Sequence, residues 1–349
     1  MEKKKKITQK DFDQMHANYA RMEAYDQWTR PFTDENAITV DKDYVFQPDT
    51  AGFKIGKFFV KGALRTMLPI ANKLLFDLKI EGKDNLKKVD NAIRVSNHVM
   101  LLDTMINFQV AFGHRHFMTG AYFNIKKGLG GKFFRCGGFL PLANSIKAMS
   151  NLDKTISDIY KTGNSVVTFY AEQALWEKYE NSRPLKKGAF HYAVKNNVPI
   201  VLTVILFREP NWLRRKLGVK KDVTVKILPA IYPKEGLSDK ENVEYLQKAT
   251  QELYDRTICD YYGYDYELYD MRLTPLENKL VAQGLIDKDE ALKRKPNDAE
   301  LRQKVLLEVT KNIVKPQEHA YDEEMSDEEL AEYYDFDLYD EDMATEHSV

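Results

Sequence analysis

The run Val198-Pro199-Ile200-Val201-Leu202-Thr203-Val204-Ile205-Leu206 carries no charge, and it limits the folds open to this chain more than any other stretch. Rich in β-branched residues and bounded by polar segments, it reads as a strand covered on both faces. Similar runs lie at Ala92–Val95, His116–Gly120, Gly137–Asn144, Ser165–Tyr170 and Asp222–Leu228, with a short one at Leu78–Glu81. Helical patterns fall between them, from Asp103 onward, from Ser145 to Thr162, and up to Lys195. Strands that alternate with helices, and are apolar enough to be buried on both sides, predict an α/β fold. The expected architecture is a mixed, mostly parallel central sheet flanked by helices.

With 349 residues and 43% hydrophobic content, the chain can bury one large core and still carry appendages. We divide it into an N-terminal arm (1–50), an amphipathic helical motif (51–78), an α/β domain (79–235), a helical C-terminal extension (236–315) and an acidic tail (316–349). From Glu318 onward there is no Lys or Arg, and this tail reads as disordered. Lys+Arg 52 against Asp+Glu 53 leaves a net charge of -1, which argues against a nucleic-acid partner. Cys136 and Cys259 are far apart, as suits a reducing compartment; they imply neither a disulfide framework nor a zinc site. Met1-Glu2-Lys3-Lys4-Lys5-Lys6 has the charge of a secretion signal, but Ile7-Thr8-Gln9-Lys10 follows in place of an apolar core, so a cytoplasmic location is expected.

Residues 51–78 suggest a membrane surface. Lys54, Lys57, Lys61 and Arg65 recur at helical spacing on one narrow face, while Phe53, Phe59, Val60, Ala63, Leu64 and Met67 take most of the remaining circumference. Pro69 is expected to kink or restart the helix. Charge interrupts too often for a spanning segment. The reading is a helix lying among lipid headgroups, with its cations drawn to anionic lipid. Trp212, in the cation-rich connector from Phe207 to Lys221, supports the same peripheral setting on the inner face of the cell membrane.

The chemistry concentrates at Val95-Ser96-Asn97-His98-Val99-Met100-Leu101-Leu102-Asp103. A strand stops at Ser-Asn-His, and Asp103 stands where a helix would begin. That order brings imidazole and carboxylate to one rim of a sheet. There the carboxylate can fix the ring's tautomer and leave the second nitrogen free as a base.

The order of these pieces resembles the glycerolipid acyltransferase family typified by 1-acylglycerol-3-phosphate O-acyltransferase, over about residues 75 to 230. The family's N-H-x-x-x-x-D is matched by Asn97, His98 and Asp103. Its G-x-I-P/F-V/I-x-R block corresponds to Gly138-Phe139-Leu140-Pro141-Leu142-Ala143-Asn144. Its F-P-E-G-T-R block corresponds to Tyr170-Ala171-Glu172-Gln173-Ala174-Leu175, and its V-P-I/V strand to Val198-Pro199-Ile200. Two arginines of the family pattern are replaced, by Asn144 and Leu175. Arg183, Lys186 and Lys187 follow Glu172 closely and could take over the basic role.

The resemblance implies an O-acyltransferase. His98, oriented by Asp103, would deprotonate the hydroxyl of a lysophospholipid or related glycolipid, which attacks an acyl thioester directly. No Gly-x-Ser-x-Gly elbow is present, and Ser96 is poorly placed as a nucleophile for His98. Asn97, Asn144, Glu172, Arg183, Lys186 and Lys187 are the implied substrate-binding residues, with support of the site as the alternative role for Glu172. No metal or bound cofactor is implied; acyl-CoA or acyl-ACP is the co-substrate, and an acyl carrier protein is a candidate partner. The competing expectation is a membrane-associated scaffold that kept the fold and lost acceptor binding with the two arginines.

Overall fold

The computed structural model describes residues 38–122, 125–142, 146–173 and 175–293. Asn144, most of the arm, the end of the helical extension and the acidic tail lie outside the described residues. Seven strands form one sheet: β1 (Lys79–Glu81), β2 (Ala92–Ser96), β3 (Arg115–Ala121), β4 (Phe139–Leu142), β5 (Ser165–Phe169), β6 (Ile200–Arg208) and β7 (Asp222–Ile227). Their order is β1-β7-β6-β2-β5-β3-β4. Every neighbouring pair is parallel except β6 and β7. The mixed, mostly parallel α/β sheet is therefore the fold.

Side chains alternate strictly across the central strands, as a period of two requires. Ile93 and Val95 of β2, with Val167 and Phe169 of β5, pack into a core closed by three helices. Helix α4 (Leu129–Gly137) leads into β4, and the three are α5 (Ile146–Lys161), α6 (Gly188–Lys195) and α8 (Asp239–Tyr262). Ala92 and Val166 face the other way, toward Ile106 and Val110 of α3 (Asp103–Val110) and Leu86 of α2 (Lys83–Lys87). Arg94, Ser96 and Thr168 share this second face and are fully buried. α8 starts with a full capping box between Ser238 and Glu241 and stops at Gly263, whose φ of 73° suits glycine.

α1 (Ala51–Phe76) is a single helix that continues through Pro69. The helix therefore does not restart at Pro69, although the proline removes one backbone donor from its ladder. Asn72 is fully buried and locks α1 to α3, donating to the Met105 carbonyl at 3.1 Å and to Gln109 Oε1 at 2.7 Å.

The helix is rotated relative to the sequence expectation. Lys57 and Lys61 turn toward the protein, and both ammonium groups stand over the buried Phe117 ring, at 4.9 and 4.8 Å from its centre. Lys57 also donates to Gln47 Oε1 at 2.7 Å, and Lys61 to the His116 carbonyl at 3.2 Å. Burial, with the nearby Arg115, lowers Lys57 to about 8; burial, with Lys57, Arg115 and Arg65, lowers Lys61 to about 7. These two lysines are not membrane-contact residues. Lys54 and Arg65 stay exposed, Lys54 beside Asp49 at 2.6 Å. What α1 presents outward is apolar: Ile55, Phe58, Phe59, Met67, Ile70 and Leu74 are all exposed.

A short helix, α7 (Trp212–Lys216), stands next to the end of α1. Arg214 donates to the Leu74 and Leu75 carbonyls at 2.9 and 3.0 Å, and pairs with buried Asp222 at 2.7 Å. Arg208 joins Asp222 and Asp77 in the same network. These two cations of the connector are thus spent inside the protein, while Trp212, Leu213 and Leu217 remain exposed. The C-terminal part of the described chain adds α9 (Pro275–Ala282) and α10 (Lys288–Lys293), and the 273–292 region carries a small core of its own around Leu273, Val281 and Ala291.

Candidate active site

β2 and β5 are parallel neighbours with Val95 opposite Phe169, so the residues just past their ends meet at one rim of the sheet. His98 follows β2 by two residues, and Tyr170 and Glu172 follow β5. Asp103 opens α3 from the same rim. Crevices at the carboxyl ends of parallel strands are where such folds place their ligands.

His98 Nδ1 lies 2.6 Å from Asp103 Oδ2. The carboxylate is fully buried, whereas the imidazole keeps 22% of its surface open. Because Asp103 holds the Nδ1 edge, the accessible edge is Nε2, which the tautomer set by Asp103 leaves as the acceptor. Tyr170 stacks on the ring with centroids 4.0 Å apart and planes 19° from parallel. Its hydroxyl donates to Asp103 Oδ1 at 2.6 Å and accepts from Asn107 Nδ2 at 3.1 Å. Burial, reinforced by the Asp103 charge, pushes this phenol well above its ordinary range, so it stays a donor.

The backbone of His98 is held separately. Its N–H donates to Glu172 Oε2 at 3.0 Å, and Arg183 Nη2 reaches the same oxygen at 3.3 Å. Tyr254, delivered by α8 from 82 residues away in sequence, donates its hydroxyl to Glu172 Oε1 at 2.8 Å. Glu172 and Arg183 are only 1% and 3% exposed, and the Arg183 guanidinium lies 4.6 Å from the centre of the Trp176 ring. Arg183 is expected to bind substrate, and Glu172 to bind the acceptor or support the site; the structure turns both inward as a prop beneath His98. Asn97 is redirected for a similar reason. Its amide exchanges two hydrogen bonds with the Ile205 backbone, at 3.0 and 2.8 Å, which extends the β2–β6 ladder past its regular end. Lys186 and Lys187 are half-buried, on the segment that returns from Arg183 to α6, where the Lys186 N–H donates to the Ala171 carbonyl at 2.8 Å.

Under the dyad runs a buried polar row that the sequence did not announce. Arg94 Nη2 donates to the Asn107 carbonyl at 2.7 Å and Nε to Thr168 Oγ1 at 3.0 Å, while His116 Nε2 lies 2.8 Å from the same hydroxyl. Burial alone lowers Arg94 to about 9, against a small opposing pull from Tyr170. It drives His116 well below the ordinary histidine range, helped by Arg94 and Lys61, so His116 is neutral. The one clue in the sequence was an arginine inside an otherwise apolar strand. Nothing in the sequence pointed to Tyr254. Among the described residues no group of three or more His, Cys, Asp or Glu side chains could hold a metal ion.

Three comparisons bear on this arrangement. A family model described as Acyltransferase matches residues 77–205, a window that holds His98, Asp103, Tyr170, Glu172 and Arg183. The 1-acyl-sn-glycerol-3-phosphate acyltransferase of Saccharomyces cerevisiae is 27% identical over 208 residues, 57% of this chain and 65% of that protein. The chain thus spans just under two thirds of that relative's length. The crystal structure of PlsC, the 1-acyl-sn-glycerophosphate (LPA) acyltransferase of Thermotoga maritima, aligns with 61% of this chain and 84% of its own, at 20% identity and a TM-score of 0.42. Residues 77–205 thus match the acyltransferase family model, and the chain is similar to 1-acyl-sn-glycerol-3-phosphate acyltransferase over a stretch that includes the site.

Proposed function

We propose that this protein transfers a fatty acyl group from an acyl thioester to a hydroxyl of a lysophospholipid or a related glycolipid. The observation that carries the reading is the 2.6 Å contact between His98 Nδ1 and a fully buried Asp103, with the imidazole 22% exposed at the sheet rim. In the proposed step Nε2 takes the proton of the acceptor hydroxyl as its oxygen attacks the thioester carbonyl. The tetrahedral intermediate collapses by breaking the carbon–sulfur bond, and the imidazolium returns the proton to the departing thiolate. Asp103 orients the ring and balances its charge while the proton is held. A positioned base of this kind contributes about 100- to 10,000-fold. The yeast relative's name supports a 1-acylglycerol-3-phosphate acceptor. The replaced Leu175 and the inward-turned Arg183 support testing acceptors beyond it. The test is thioester consumption with acyl-CoA and acyl-ACP donors against a panel of lysophospholipids and glycolipids. Acceptor-dependent release of free thiol is expected; none with any pairing would favour the scaffold reading.

The same reading places the chain on a membrane surface. The exposed apolar residues of α1, Leu101 and Leu102 beside the dyad, and Trp212, Leu213 and Leu217 on α7 supply the apolar side chains for such a contact. Patches of this kind mark lipid or protein contact sites. Among the described residues no helix is long and apolar enough to cross a bilayer. Attraction to anionic lipid rests on Lys54 and Arg65, since Lys57 and Lys61 face inward. Co-sedimentation with anionic vesicles at low salt tests this: binding is expected, and its absence would remove the membrane role.

A further inference from the structure

We infer that Tyr170 is a positioning residue that clamps both members of the dyad at once, through a hydroxyl that the F-P-E-G-T-R pattern of the family lacks. The inference rests on His98 acting as the base. A phenylalanine at this place could still stack on the imidazole; only a tyrosine can also reach the carboxylate. Asp103 is fully buried and each of its oxygens has one donor: Oδ2 faces His98 Nδ1 at 2.6 Å and Oδ1 faces the Tyr170 hydroxyl at 2.6 Å. Two donors on opposite oxygens fix the rotation of the carboxylate plane, which a single donor would leave free to swing. The aromatic ring carrying the second donor lies 4.0 Å from the imidazole and nearly parallel to it, so the same side chain limits the tilt of the base.

The clamp is itself anchored. Asn107 Nδ2 donates to the Tyr170 oxygen at 3.1 Å and to Ser96 Oγ at 3.3 Å. Its carbonyl takes Arg94 Nη2 at 2.7 Å, and Arg94 is fully buried between β2 and α3. The hydroxyl therefore has a fixed acceptor on one side and a fixed donor on the other. Loss of the hydroxyl would strand Asp103 Oδ1 in a dry site and leave Asn107 Nδ2 with only its longer bond, a local defect centred on the dyad.

The variant that isolates the hydroxyl is Tyr170→Phe, which keeps the ring. A proton in a short bond between imidazole Nδ1 and a buried carboxylate gives a far-downfield NMR signal, which His98→Gln identifies by its disappearance. In Tyr170→Phe this signal should broaden through exchange with water. kcat should fall roughly 10- to 100-fold with the KM values for both substrates little changed, as for an interaction that matters only when the base works. An unchanged downfield signal in a folded Tyr170→Phe protein would overturn the clamp. If that variant does not fold, 3-fluorotyrosine at position 170 keeps the shape and strengthens the donor. The stronger donor draws charge from the carboxylate, so the His98 signal should move upfield; no movement would equally overturn the clamp. Should the parent protein transfer no acyl group at all, the proposed function fails, while the NMR signal still decides the clamp.

Discussion

Glu172 makes a sharp case at the level of single residues, because its carboxylate is held by three groups of the protein itself. The His98 N–H, Arg183 and Tyr254 converge on its two oxygens in a space closed to water. Breaking a buried ion pair from one side strands the other charge and costs about 3–5 kcal/mol. Glu172→Ala should therefore lower the free energy of urea unfolding by roughly that amount, in addition to its effect on turnover. A loss below about 1 kcal/mol would show that Glu172 is not the prop described above. The His98–Asp103 pair was legible in the sequence, since a histidine just past a strand end and an aspartate at a helix start, five residues apart, have little freedom in where their side chains go. The prop was not, because Tyr254 is brought in by a helix far along the chain and no local pattern ties it to Glu172. The functional reading of Asn97 failed for a related reason: its neighbour in space is Ile205, a residue of another strand.

At the level of elements, α1 shows where periodicity stops being sufficient. The spacing of Lys54, Lys57, Lys61 and Arg65 defines a stripe, but it does not say which way the stripe points. Packing of the helix decided it: Lys57 and Lys61 stand over Phe117, and the ring and the His116 carbonyl offset only part of the cost of burying their charge. That choice has a pH signature. Lys61 falls from the ordinary 10.5 to about 7 in the folded protein, so below pH 7 the cost of burying its charge is felt in full. Between about pH 7 and the unfolded lysine value the unfolded chain binds more protons, and stability rises with pH. Lys57 adds to the same trend over a narrower range, from about 8 upward. Lys61→Met should stabilise the protein near neutral pH by about 1–2 kcal/mol, and should flatten the rise in stability between neutral and alkaline pH. Urea unfolding across that interval checks both; a variant with the parent's slope would mean that Lys61 is solvated. The strands were the most legible elements, because runs such as Ile200–Leu206 are apolar on both faces and have no other stable place than the middle of a sheet.

At the level of the whole molecule, the proposed membrane contact draws on two sets of exposed apolar side chains, Leu101 and Leu102 between His98 and Asp103 in sequence, and the outer face of α1. Replacing Phe58 and Phe59 together by Ser should weaken vesicle binding about 10-fold or more while leaving the unfolding midpoint unchanged, since both rings are largely exposed in the folded protein. Vesicle binding equal to the parent's would place the contact elsewhere. The seven-stranded sheet could be anticipated from alternating strands and helices, but the order of its strands could not, because the sequence does not reveal that the chain crosses β2 on its way from β5 to β6. The pairing of β5 with β2 is what sets Glu172 beside His98. The most direct test of the chemistry assigned to this rim is the turnover of His98→Ala with a thioester and its acceptor. A fall of about 100- to 10,000-fold with an unchanged unfolding curve is expected; turnover at the parent's rate would contradict the assignment of His98 as the base.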